Sequence, residues 1–207
     1  MPLDPDLLPT IDVLRLRAQA LAMVEAIVSP DWDSRYYSFN ASWSADEAMA
    51  SMRNGQGDEW FILFGTAGAG IKGLAHETAM ARDSQLSART RQAVPASLSS
   101  FLDEPAFNWT WMSFCYWCEV GDPRWHRVAS PTVGDDGSAH LLKLLMAPAS
   151  SYVEFAADYY ETTLPLSDVE AIYAHRPLTQ ALLAAINPEL SLEDVQADAK
   201  EIGYPVA

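Results

Sequence analysis

The chain has 207 residues, 49% of them hydrophobic and 11% aromatic, with a formal net charge of −15. That much apolar material fills one contiguous core without disulfide or metal staples, and the length suits a single α+β domain over residues 1–207. The negative charge repels phosphate backbones and the basic residues are scattered, so nucleic acid is not an expected partner.

The first stretch, MPLDPDLLPTIDV, is acidic and broken by proline, unlike a signal peptide. The longest apolar run, Ala18 to Val28, is interrupted by Glu25 and is too short to span a membrane. Two cysteines suit a reducing compartment, and the expected location is cytoplasmic. Apolar residues recur at helical spacing from Leu8 to Val28, with Pro9 and Asp12 in the first turn and Ser29-Pro30 as the stop. The next segment, DWDSRYYSFNASW, has aromatics with neither a helical nor a strand period and reads as a long loop. Ser44 to Glu47 has the spacing of a capping box, which predicts a short helix carrying Met49 and Met52 and ending at Asn54-Gly55.

A β-hairpin is expected over residues 58–77, two apolar segments around a turn of small residues. A turn centred on Thr66 to Ala69 sets Glu59 opposite His76. It places Glu59, Phe61, Leu63, Lys72, Leu74 and His76 on one face, and Trp60, Ile62, Phe64 and Ile71 on the other. Gly68 to Gly73 matches G-x-G-x-x-G, but it opens no helix and no acidic residue follows about twenty positions on, so no nucleotide cofactor is expected. Residues 79–92 read as a charged loop with some helix, and Val94 to Leu102 as a short helix with proline in its first turn.

An aromatic central strand is expected at about 107–118, with a partner strand at about 124–129. The strand holds Cys115-x-x-Cys118. Period-two alternation puts Trp109, Trp111, Cys115 and Trp117 on one face and Phe114, Tyr116 and Cys118 on the other, both buried. Cysteines on opposite faces cannot share a metal or close a local disulfide. No helix follows to lower a thiol pKa, so neither metal nor redox chemistry is expected. Gly134 to Ser138 reads as a loop before Ala139 to Met146, and helices are predicted over Ser150 to Tyr160, Ser167 to Ala174 (opened by a capping box at Ser167 and Glu170), Leu178 to Ile186 and Leu192 to Ile202. The fold class is therefore α+β: a small antiparallel sheet packed with N-terminal and C-terminal helices.

Neither G-x-S-x-G nor H-E-x-x-H occurs, and no catalytic signature replaces them. From Ser150 to the end, ten acidic residues face two basic ones, a net −8. Arginine among aromatics on irregular backbone is the composition of interface hot spots, which singles out Arg35, Tyr36, Tyr37 and Trp43. The expected function is a non-enzymatic protein-binding module, similar in class to immunity proteins, inhibitors and adaptors, with a basic protein as partner. The alternative is a small enzyme or ligand-binding domain whose polar cleft gathers Glu59, His76 and the Arg35–Trp43 loop.

Overall fold

The helical pattern near the N-terminus becomes α1, Ile11–Val28, in the computed structural model, which describes residues 1–128 and 134–207. Every residue of α1 from Ala20 to Ile27 is buried. A helix that is apolar all round belongs inside a protein. Here α1 lies against the first strand of a sheet and is wrapped by later helices.

The sheet has six antiparallel strands among the described residues, ordered as they occur along the chain. They are β1 (Tyr37–Asn40), β2 (Ala48–Arg53), β3 (Glu59–Gly65), β4 (Gly68–Leu74), β5 (Phe114–Glu119) and β6 (His126–Arg127). One face carries Phe39, Ala50, Met52, Trp60, Ile62, Ile71, Phe114 and Tyr116 and packs on the helical layer. The opposite face carries Met49, Phe61, Leu63, Cys115 and Trp117. It is covered by the β4–β5 connection, which contains α2 (Leu86–Ala93) and α3 (Ser99–Asp103). The expected α+β arrangement is thus present, with helices at both ends of the chain.

Two strands arise where none was expected. β1 lies inside the aromatic stretch, and the helix predicted at Met49 and Met52 is β2. Ser44 and Glu47 close a turn on each other instead, through Ser44 N–H to Glu47 C=O (3.3 Å) and Ser44 Oγ to Glu47 Oε2 (2.9 Å). Both faces of β2 are buried, so no alternation of polar and apolar residues marks it as a strand. Pairing with β1 and β3 overrides the helical preference of its alanine and methionine.

The hairpin forms with the expected faces but a different register. Its turn is only Thr66-Ala67, flanked by a Gly65–Gly68 pair, so Glu59 stands opposite Leu74 rather than His76. Two of the three glycines of the G-x-G-x-x-G match serve ring packing. A Cβ at Gly70 would collide with the Phe101 ring and one at Gly73 with the Phe114 ring, on opposite faces of β4.

β5 starts at Phe114, seven residues later than the aromatic run suggested, and lies between β4 and β6, as expected an interior strand rather than an edge. An Asx turn at Asn108, whose Oδ1 accepts from Thr110 N–H, keeps the preceding residues irregular. Trp109 folds edge-on onto Phe101, while Trp111 is 57% exposed, against the expectation that both are buried. Cys115 and Cys118 are free and lie on opposite faces. The partner strand is β6; Ala129, the end of its expected range, lies outside the described residues.

The C-terminal half supplies α4 (Ser138–Leu141), α5 (Lys143–Met146), α6 (Ala149–Tyr159), α7 (Leu166–Tyr173), α8 (Gln180–Ile186) and α9 (Leu192–Ile202). The capping box expected at Ser167 is absent: Pro165 is the N-cap, and Ser167 Oγ turns to Asp168. Ser191 and Asp194 form a true one at the start of α9, and left-handed Gly203 ends that helix.

These placements separate two tryptophans by stability. Trp60 is 1% exposed and its indole donates to Leu141 C=O. Trp60→Ala should cost about 3–5 kcal/mol in urea unfolding, whereas Trp111→Ala should stay within about 0.5 kcal/mol of the parent. Equal effects would contradict the strand boundary at Phe114.

Candidate functional site

Glu25 is the fully buried carboxylate of α1, and no cation pairs with it among the described residues. Its Oε1 accepts from the Tyr152 hydroxyl at 2.7 Å. Its Oε2 accepts from the Tyr160 hydroxyl at 2.6 Å, the Tyr36 amide at 2.8 Å and the Tyr37 amide at 3.5 Å. Burial raises its pKa above the ordinary value, and the hydrogen bonds from Tyr160, Tyr152 and the two amides offset only part of that. One side chain therefore ties α1 to the entry of β1 and to both ends of α6.

The aromatic groups that Glu25 holds form a cluster. Tyr36 meets Phe155 edge-on at 4.9 Å and Tyr159 at 5.1 Å, and Phe155 stacks on Tyr159 at 5.3 Å and 13°. Beside this cluster is a cleft of about 300 Å³ between the start of β1, α5 and α6, walled by Tyr36, Tyr37, Leu144 and Phe155. Glu154 and Asp158, one turn apart and exposed, stand on its α6 side; His140 and Lys143 stand on the α4–α5 side. Tyr37 is only 4% exposed, yet its hydroxyl has no hydrogen-bond partner among the described residues. Burial, then the neighbouring Tyr159, Asp58 and Glu25, pushes the Tyr36 phenol up to about 12. Both phenols therefore stay neutral and can accept or donate a hydrogen bond.

The residues singled out in the sequence are not gathered in one place. Tyr36 and Tyr37 line the cleft. The Arg35 side chain is 6% exposed, its guanidinium forked onto Asp198 of α9 at 2.6 and 2.9 Å, with its remaining reach spent on the carbonyls of Ser29 and Pro30. It anchors the loop to α9. Trp43 donates its indole N–H to Glu104, next to α3, on the other side of the sheet from the cleft. Glu59 pairs with the buried Lys72 at 2.9 Å, the residue diagonal to it across the hairpin.

His76 pairs instead with Asp58, whose Oδ1 accepts from its ring Nδ1 at 2.7 Å and its amide at 2.9 Å. Burial pushes Asp58 up, but the two His76 hydrogen bonds, the His76 charge and Asn54 together hold its carboxyl below the ordinary value. The expected Glu59–His76 pair does not form, because the tight turn shifts the register by two residues and leaves His76 beyond the end of β4. The ring of His76 pairs only with the carboxylates of Asp58 and Glu77 among the described residues, with no hydroxyl or thiol hydrogen-bonded to it as a nucleophile would be. Burial also pushes the Cys115 thiol far up, away from reactivity. No group of three His, Cys, Asp or Glu among the described residues is placed to hold a metal ion. No helix among them is long and apolar enough to cross a membrane.

Phe155, Tyr159, Glu154 and Asp158 were missed as site residues. Their signal was readable, two aromatics and two acids each spaced four apart on one helix, but the partner across the cleft was not. No family model, curated protein or solved structure matches the chain.

Because the folded state raises the pKa of Glu25, its contribution to stability is complete below the ordinary value of 4.5 and is lost as pH rises through the raised one. Glu25→Gln removes that titration. In urea unfolding across this range, the stability of the parent relative to the variant should therefore fall as pH rises. A difference that is constant, or grows with pH, would contradict the assignment.

Proposed function

We propose that the protein is a non-enzymatic, single-domain binding module whose partner is a basic protein, docked on the acidic surface of α6–α9. The observation that carries this reading is the state of the charges. Of the ten carboxylates after Ser150, only Asp198 is in an ion pair among the described residues, and most of the others are exposed. Unpaired exposed charge of one sign creates a field that steers an oppositely charged partner and speeds its association. The groups that could do chemistry elsewhere are engaged in holding the fold: Glu59 with Lys72, Arg35 with Asp198, Glu25 with its tyrosines. Two free buried thiols fit a reducing compartment such as the cytoplasm, and the net charge disfavours nucleic acid.

Capture from native lysate with the parent and with Glu189→Lys/Glu193→Lys, both exposed positions, tests the reading. The captured protein should be basic, elute as salt rises because exposed charges are screened over about 8–10 Å, and be lost from the charge-reversed variant. Capture of an acidic or neutral protein, or capture unaffected by salt and by charge reversal, would contradict it.

A further inference from the structure

Resting on the reading of an acidic docking face, we propose that the cleft between β1 and α6 is the anchor pocket of that face and takes the guanidinium of an arginine side chain from the partner. Its walls and its polar groups both fit this occupant. Tyr36 and Phe155 offer ring surface on which a planar cation stacks. Glu154 and Asp158 offer carboxylates one helical turn apart, and Lys143 across the cleft is ion-paired to neither, so both remain free acceptors among the described residues.

The third feature is independent of the charges. Tyr37 lines the cleft more than nine-tenths buried, with a hydroxyl that no protein group satisfies. The hydroxyl itself still reaches solvent, so its oxygen can accept from a donor that enters the cleft. Guanidinium carries five N–H donors in a flat fork and can reach several acceptors at once. An ammonium is a compact point charge that stacks less well. An anion would meet two carboxylates against one lysine. At about 300 Å³ the space is at the low end for a small-molecule site and suits one inserted side chain.

The probe is a short peptide of alternating glycine and lysine with one central arginine, compared with the same peptide carrying uncharged, isosteric citrulline there. By calorimetry at low salt, the parent should bind the arginine peptide about tenfold more tightly than the citrulline peptide, as expected for one stacked and hydrogen-bonded cation. Glu154→Gln/Asp158→Asn should bring that ratio close to one. Glu189→Gln/Glu193→Gln, the same charge change away from the cleft, should weaken both peptides and leave the ratio standing. Tyr37→Phe deletes a hydroxyl that makes no protein hydrogen bond, so the fold should persist while the ratio falls.

A ratio near one in the parent, with both peptides binding in a salt-dependent way, would overturn the pocket and leave the acidic face standing. A high ratio unchanged by the cleft substitutions would place the arginine elsewhere and also overturn the pocket. Failure of both peptides to bind would remove the face and the pocket together.

Discussion

A carboxylate buried without a counter-ion is expensive, and the arrangement around Glu25 shows how this fold accommodates one. Desolvation of such a group costs several kcal/mol unless donors replace the lost water. Glu25 receives two phenol hydroxyls and two backbone amides, and hydrogen bonds to a charged group are worth about 1.5–3 kcal/mol each. The donors come from three separate segments: the entry to β1, the first half of α6 and the residue that ends α6. Satisfying one side chain therefore fixes the sheet's first strand and the aromatic helix relative to α1. The cleft beside Tyr36, Tyr37 and Phe155 is a consequence of that constraint.

The second constraint is a sheet with no bare face. α1 and the C-terminal helices cover one side, and the β4–β5 connection covers the other. Gly70 and Gly73 admit the Phe101 and Phe114 rings from opposite sides, so a glycine pattern that resembles a phosphate loop is occupied by packing. Lys72, fully buried, is held by Glu59 at the edge of the same covered face. A second buried network joins Asp136, Ser138, Tyr116 and Arg127 to the backbone of Leu3, which secures the N-terminal segment against β5 and β6. Ionisable groups in this protein are mostly structural when buried and mostly unpaired when exposed on the C-terminal helices. That division is what the proposed binding role rests on.

Much of this is legible in the sequence, and what is not has separate physical causes. α1, α9 and the two faces of the β3–β4 hairpin follow directly from periodicity and caps. β2 was not legible because both its faces are buried, which erases the alternation that identifies a strand. The hairpin register differs by two residues from the expected one because small residues on both sides of Thr66-Ala67 allow several turn lengths; that slip moves His76 from Glu59 to Asp58. Trp111 looked like core because its neighbours are aromatic, while the Asx turn at Asn108 that exposes it is a weaker signal. For the site, Tyr36 and Tyr37 stood out by composition, but Arg35 and Trp43 beside them are held by residues far along the chain, Asp198 and Glu104. Glu25 registered only as a break in an apolar run. Its role depends on tyrosines more than a hundred residues away, which no local pattern encodes.

Glu25 is thus a buried, hydrogen-bonded carboxyl group that organises the entry of β1 and the cleft. NMR titration of the folded protein, following the Glu25 side-chain carboxyl carbon together with the Tyr36 and Tyr37 amide protons, tests this most directly. All three signals should move in one transition with a midpoint above the ordinary carboxyl value of 4.5. A Glu25 carbon that titrates at that ordinary value, or amide protons of Tyr36 and Tyr37 that ignore its transition, would contradict it.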